Sequence, residues 1–129
     1  MKFLITGGAG YIGSHVSYLL LDKGHDIVII DNFSNSRAAS IDAIEKLTNR
    51  KIYFYQGDIS DPKMLSNVFK SHQFNAVIHF AALKSVSESI LKPEKYYQNN
   101  VEGTSALLSA MRSFEIKNLV FSSSATVYG

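Results

Sequence analysis

Short apolar runs alternate along the chain with longer segments in which apolar residues recur every three to four positions. The short runs have the length of strands and cover residues 3–6, 27–30, 52–55, 76–80 and 119–122. The periodic segments predict helices over 11–23, over 40–47, from Pro62 onward and over 93–112. Because each strand is apolar on both faces, helices must cover the sheet on both sides. The chain is therefore predicted to form a doubly wound parallel α/β sheet.

Particular residues mark the ends and faces of these elements. Gly24 stands where a helix stop belongs, and Asp61 with Pro62 can cap and begin the third helix. His79, in the fourth strand, is expected to be hydrogen-bonded by its neighbours. One apolar face of the second helix is predicted to hold Ile41, Ile44 and Leu47. The apolar positions of the long helix are Tyr97, Val101, Leu107, Leu108 and Met111.

The composition narrows the possible classes of protein. With 129 residues the chain fits one domain, and its net charge of +2 is too small to indicate a nucleic-acid or membrane partner. It has no cysteine, which excludes a disulfide framework and a cysteine-based zinc site, and no metal site is predicted. No apolar run approaches the roughly 20 residues of a membrane span, and Gly7 comes too early for a signal peptide. We therefore expect a cytoplasmic protein.

A glycine-rich turn joins the first strand to the first helix. Within the segment TGGAGYIG, Gly8, Gly10 and Gly13 fit the pattern G-x-G-x-x-G, and Gly7, Gly10 and Gly13 fit its variant G-x-x-G-x-x-G. Such a loop turns tightly, lets backbone N–H groups approach a pyrophosphate and directs a helix N-terminus at the phosphates. The strand before it and the helix after it favour a dinucleotide-binding site of the Rossmann type over a flexible turn.

Two acids follow strands at the edge to which this turn belongs. Asp31 ends the second strand, 18 residues beyond Gly13, where it would accept hydrogen bonds from the adenosine ribose hydroxyls. It would also repel a 2′-phosphate, which favours NAD over NADP, although the nearby Arg37 is a group that can hold such a phosphate. Asp58 follows the third strand and would either meet the adenine amino group or serve as an ordinary turn acid.

The chain resembles the extended short-chain dehydrogenase/reductase family over its whole length, and within it the nucleotide-sugar 4-epimerases. The resemblance is carried by TGGAGYIGSH at 6–15, DNFSNS at 31–36, GDI at 57–59, HFAALKSVSES at 79–89, YYQNNVEGT at 96–104 and FSSSATVYG at 121–129. It implies an NAD-dependent isomerase of galactose metabolism, which inverts C4 of a UDP-hexose through a 4-keto sugar. It also implies a homo-oligomer.

The resemblance, with the glycine pattern, implies which residues form the site. Those at the glycine loop and the adenosine half of NAD are Gly7, Gly10, Tyr11, Ile12, Gly13, Asp31, Asn32, Asn35, Ser36, Asp58 and Ile59. Those along the middle and the nicotinamide side are Phe80, Ala81, Ala82, Lys84, Asn99 and Ser122. Ala82 stands where many epimerases have glycine, which adds only a methyl group. Ser124 matches the catalytic serine that hydrogen-bonds the 4-hydroxyl of the sugar.

The catalytic base of the family is a tyrosine with a lysine four residues later, whose charge favours the phenolate. No tyrosine of this chain has a lysine at that spacing. A sheet of this kind usually has a sixth strand, and the family has a further domain that grips the UDP. We therefore interpret 1–129 as an NAD-binding domain truncated after the fifth strand, without its substrate domain and inactive alone.

Two other interpretations stay open. The first is a different nucleotide-sugar enzyme of the same family. A 4,6-dehydratase would have an Asp-Glu pair where this chain has Ala125 and Thr126, which counts against a dehydratase but less against an epimerase of another UDP-sugar. The second is a non-catalytic NAD-binding module, which would end naturally at residue 129, whereas an enzyme would continue into the tyrosine–lysine pair.

Overall fold

A computed structural model of the chain describes residues 1–7, 11–31, 38–80 and 93–121. The strands are β1 (Lys2–Thr6), β2 (Asp26–Asp31), β3 (Tyr53–Gln56), β4 (Ala76–His79) and β5 (Leu119–Phe121). The helices of these ranges are α1 (Tyr11–Asp22), α2 (Ala38–Thr48), α3 (Pro62–Ser71) and α4 (Pro93–Ser113). Each predicted element is present, and its ends agree with the predicted ones to within two residues.

The five strands form one parallel sheet in the order β3-β2-β1-β4-β5. The chain runs outward from β1 through β2 to β3, then crosses back to place β4 on the other side of β1. The strand order therefore reverses between β1 and β4, which is the topological switch point of a doubly wound sheet. The predicted fold class is confirmed.

The core lies on both faces of this sheet. One face packs Leu4, Val28 and Val77 against residues of α3 and α4, including Leu65, Val68, Leu107 and Met111. The other packs Ile5, Ile29 and Ile78 against residues of α1 and α2, including Leu21, Ile41 and Ile44. Successive residues of a strand point to opposite faces, so the unbroken apolar runs supply both layers at once.

The predicted helix boundaries have the expected local causes. Gly24 ends α1 at φ +92°, a conformation that costs glycine little, and the following His25 N–H donates to the Leu20 carbonyl at 3.1 Å. At the start of α3, the Asp61 carboxylate accepts from the Lys63 N–H at 3.0 Å and from the Met64 N–H at 3.5 Å. Pro62 takes the first helical position, where no N–H is needed.

Leu47, which the pattern places on one apolar face of α2 with Ile41 and Ile44, is exposed, so that part of the prediction is wrong. Leu108, one of the apolar positions of α4, is exposed as well. Leu47 is 73% exposed and Leu108 is 43% exposed. Each step of three residues turns a helix about 60° short of a full revolution, so Leu47 lies about 120° around α2 from Ile41. Leu108 lies about 100° from its neighbour Leu107, and only Leu107 faces the sheet.

Candidate dinucleotide-binding site at the carboxyl edge of the sheet

The carboxyl ends of the strands meet along one edge of the sheet. Thr6 pairs in register with Ile30 of β2 and with His79 of β4. Backbone hydrogen bonds continue one residue past the strand ends, from the Gly7 N–H to the Ile30 carbonyl and from the Phe80 N–H to the Thr6 carbonyl, both 2.8 Å. Ligands of doubly wound sheets bind outside such carboxyl ends at the switch point.

The glycine turn leaves β1 at this edge. Gly7 has φ +75°, in the left-handed region where a side chain is strained. Helix α1 begins at Tyr11, with Ile12 in its first turn, so its N-terminus follows the glycines directly. Gly13 is buried, and its carbonyl accepts a hydrogen bond from the Ser17 hydroxyl at 2.7 Å. Glycine adopts this turn with little strain, and the N-terminus of α1 follows it. Such a helix N-terminus carries a partial positive charge and free N–H groups that can bind an anionic phosphate.

Asp31 is the last residue of β2 and stands at the same edge as the glycine turn. It is half-buried, and its carbonyl accepts from the Gly57 N–H at 3.1 Å, which ties the ends of β2 and β3 together. The structure therefore brings the predicted ribose acceptor and the predicted phosphate turn to neighbouring strand ends.

Asp58 has a local structural task. One oxygen of its exposed carboxylate accepts from both the N–H and the hydroxyl of Ser60, each at 2.9 Å. Its carbonyl accepts from the Asp61 N–H at 3.0 Å. These bonds close the turn before α3, as expected for an ordinary turn acid. The contact with adenine stays a prediction.

Two further predicted site residues have buried side chains. Ile59 packs in the core beside α3 and α4, and Phe80 packs in the core on the opposite face of the sheet. Because these side chains pack in the core, we expect a ligand to meet the backbone of Ile59 and Phe80. Gly103 of α4 lies so close to Ile59 that a Cβ added there would be 2.9 Å from the Ile59 Cδ1 atom. Sequence reasoning missed this contact, although a glycine inside a long helix signals a close approach.

Replacing Gly103 by alanine is therefore expected to lower the free energy of unfolding. The alanine methyl group would press on the end of the buried Ile59 side chain, and such overpacking costs about 1–3 kcal/mol against a gain in helix propensity of about 1 kcal/mol, so we expect a net loss of up to about 2 kcal/mol. Urea denaturation measures the change. Ile59→Val removes the Cδ1 atom, so the pair Gly103→Ala with Ile59→Val should lose less than the two single losses added. Additive losses would contradict the contact.

A buried polar pair lies at the switch point itself. Thr6 is 0% and His79 is 1% exposed, and the Thr6 Oγ1 atom lies 2.5 Å from the His79 Nδ1 atom. On its other side the His79 Nε2 atom lies 3.2 Å from the Thr104 hydroxyl of α4. The expectation that neighbours satisfy His79 is confirmed. Desolvation by burial lowers the pKa of His79 to about 4, so the imidazole is neutral at physiological pH.

Several predicted site residues lie outside the described residues. They are Gly10, Asn32, Asn35, Ser36, Ala81, Ala82, Lys84, Ser122 and Ser124. Asn99 lies in α4, one turn before Gly103. In 1–7, 11–31, 38–80 and 93–121, no group of three or more histidine, aspartate or glutamate residues is placed to hold a metal ion. No helix in those ranges is long and apolar enough to cross a membrane.

The sheet order, the glycine turn and the acid at the neighbouring strand end define a Rossmann-type α/β protein. Residues 4–129 match the family described as GDP-mannose 4,6 dehydratase, and the chain belongs to that family. Within it, the chain is 54% identical to a UDP-glucose 4-epimerase of Erwinia amylovora, over the whole chain and 38% of the relative. A Klebsiella pneumoniae UDP-glucose 4-epimerase sequence is 51% identical over the whole chain and 93% of the relative.

A solved structure of a UDP-glucose 4-epimerase also matches the chain. The crystal structure of the UDP-glucose 4-epimerase of Bifidobacterium longum in complex with NAD⁺ and UDP matches with a TM-score of 0.93 and 43% identity. The match covers the whole chain and 38% of that protein. The chain thus spans well under half the length of this protein and of the Erwinia relative.

Proposed function

We propose that this chain is the NAD-binding part of a UDP-glucose 4-epimerase, which interconverts UDP-glucose and UDP-galactose through a 4-keto intermediate. The observation that carries the proposal is the glycine turn at Gly7 with Asp31 at the neighbouring strand end, both at the carboxyl edge. The epimerase relatives support the choice of reaction.

The residues at this edge fit NAD. The α1 N-terminus offers donors to a pyrophosphate, and the Asp31 carboxylate offers an acceptor to ribose hydroxyls while repelling a 2′-phosphate. When bound, NAD would supply reversible oxidation at C4 of the sugar. We propose that the cofactor-binding residues are those named from the sequence, with Ile59 and Phe80 contributing backbone and not side chains.

The remaining chemistry needs a proton acceptor. We assign Ser124 to orient the 4-hydroxyl of the sugar, because a serine hydroxyl cannot serve as the base unaided. No tyrosine of residues 1–129 has a lysine four residues later. The tyrosine base of the family is therefore not in this stretch, and by the resemblance the groups that hold the UDP would also lie in another part of the full-length enzyme.

The family's description names a dehydratase, which makes a 4,6-dehydratase the second candidate. By the resemblance, a dehydratase needs an Asp-Glu pair after the serine or threonine of the fifth strand. This chain has Ala125 and Thr126 there, and neither side chain can serve as the acid or base of an elimination. The epimerase is therefore the better proposal.

A chimera tests the reaction. Residues 1–129 would replace the matching segment of the Erwinia amylovora relative, 54% identical to them. We expect the chimera to convert UDP-galactose to UDP-glucose, and residues 1–129 alone with added NAD to convert none. A folded but inactive chimera, beside an active parent enzyme, would contradict the proposal. Turnover by residues 1–129 alone would show that the base has been misplaced.

We further propose that the chain acts in the cytoplasm and self-associates. Within the described residues β5 pairs with β4 alone, and Val120 is 55% exposed on that strand. An uncharged edge strand is a template for another chain. Light scattering over a concentration series should give an average mass that rises above 14.3 kDa. A mass that stays at the monomer value to high concentration would contradict self-association.

A further inference from the structure

We propose that Thr6, His79 and Thr104 form a hydrogen-bonded chain that positions the glycine turn and helix α4 relative to each other for NAD binding. The inference rests on the proposed function, because NAD is the ligand whose site these two elements would share. None of the three side chains is assigned a contact with the cofactor or the sugar, so they are positioning residues.

We assign a direction to each hydrogen bond of this chain. The Phe80 N–H donates to the Thr6 carbonyl at 2.8 Å and also reaches the Thr6 Oγ1 atom at 3.2 Å. We assign the Thr6 hydroxyl as the donor to the His79 Nδ1 atom, 2.5 Å away, while its oxygen accepts from the Phe80 N–H. The imidazole proton then resides on Nε2, which donates to the Thr104 hydroxyl at 3.2 Å.

The two ends of this chain adjoin predicted cofactor-binding segments. Thr6 directly precedes Gly7, where the backbone enters the left-handed region. Thr104 directly follows Gly103 and lies five residues beyond Asn99 in α4, about 7.5 Å along the helix axis. The bonds through His79 therefore link the start of the glycine turn to the helix that carries Asn99.

Packing alone gives no reason for polar groups at these positions. The neighbouring strand positions are Ile5, Ile30 and Ile78, which are all buried, and valine fills the volume of threonine. Burying a hydroxyl and an imidazole costs free energy unless their hydrogen bonds are made. Hydrogen bonds, unlike apolar contacts, also constrain the relative orientation of the groups that they join. The close approach of Gly103 to Ile59 and the bond of Thr104 to His79 occur at consecutive residues of α4.

The test removes the hydroxyls at both ends of the chain. Thr6→Val and Thr104→Val keep shape and lose the hydrogen bond, whereas Thr6→Ser and Thr104→Ser keep the hydroxyl. Thr48→Val is the matched control, because its hydroxyl donates to the Ile44 carbonyl at 2.7 Å, at the end of α2. Calorimetry gives the NAD affinity of each variant, and urea denaturation gives its stability.

We expect each change of Thr6 or Thr104 to valine to weaken NAD binding by about threefold to tenfold, the size of one hydrogen bond. The serine variants should regain most of this loss, and Thr48→Val should lose none. Because either change breaks the same chain, the double valine variant should lose less affinity than the product of the single losses. Valine variants that lose stability but keep full NAD affinity would overturn the positioning role. A double variant whose loss of affinity equals the product of the two single losses would overturn it as well.

Failure of the inference is distinguishable from failure of the proposed function. If the unchanged protein binds NAD and both valine variants bind it equally well, the inference is overturned but the proposed function is not. Absence of binding by the unchanged protein overturns the proposed function, and the positioning role falls with it. Thr104 is only partly buried on a helix, so Thr104→Val decides the matter even if Thr6→Val fails to fold. Nitrogen-15 NMR of the imidazole should show the Nε2–H form, and an Nδ1–H form would overturn the bond directions.

Discussion

Replacing Asp31 by alanine is expected to weaken NAD binding by about tenfold to more than a hundredfold. The carboxylate at the end of β2 would accept hydrogen bonds from the ribose hydroxyls, and a hydrogen bond to a charged group is worth about 1.5–3 kcal/mol. Isothermal titration calorimetry, in the protein or in the active chimera, measures the change directly. Unchanged affinity would remove Asp31 from the site.

Asp26 offers a matched control for this change. It lies at the other end of the same strand, where its carboxylate pairs with the Arg50 guanidinium at 2.8 Å. Asp26→Ala should leave NAD affinity unchanged, because its carboxylate is at the edge opposite the glycine turn. NADP adds a second comparison. Asp31→Ala should narrow the preference for NAD over NADP, because the charge that repels the 2′-phosphate is gone.

Lowering the pH from 6.5 to 4 is expected to remove about 3 kcal/mol from the free energy of unfolding through His79. The unfolded chain takes up this proton near pH 6.5, whereas the buried imidazole takes it up only near pH 4 because desolvation lowers its pKa to about 4. The free energy of unfolding is therefore not reduced by this group above pH 6.5, and it falls progressively as the pH is lowered from there toward 4. Desolvation and the charge of Lys2 also lower the pKa of His72, so His72 acts in the same direction.

Urea denaturation at a series of pH values measures this loss. His79→Gln cannot take up the proton, so it should flatten the decline between pH 6.5 and 4. It should also be less stable at neutral pH, because it cannot keep both bonds of the imidazole. The exposed His15 provides the control, and His15→Gln should keep the decline of the unchanged protein. An equal decline in His79→Gln would contradict a neutral, buried His79.

The sequence predicts the sheet well because its signals are local. Unbroken apolar runs mark strands covered on both sides, and Gly24 and Asp61 mark helix ends through backbone conformation and capping. The faces of the helices are less certain from sequence. Leu47 and Leu108 each continue an apolar pattern, yet only geometry decides which of several apolar neighbours turns toward the sheet.

In the candidate site, too, some features are predictable from the sequence and others only from the structure. Gly7 and Asp31 are predictable because turn chemistry and spacing identify them, and the structure brings both to one edge. The bonds that join Thr6, His79 and Thr104 span 73 and 25 residues of sequence, and no local pattern announces such contacts. The close approach of Gly103 to Ile59 likewise depends on how α4 settles on the sheet.

Mapping NAD onto the protein by NMR tests the central proposal most directly. Titration of nitrogen-15-labelled protein with NAD is expected to shift the backbone amide signals of Gly7, Gly13, Asp31 and Phe80 most, because these residues stand at or next to the carboxyl edge beside the switch point. The amides of Asp26 and Asn75, at the opposite edge, should stay where they are. Shifts concentrated at that opposite edge, or no shifts at saturating NAD, would contradict the proposal that NAD binds at the carboxyl edge.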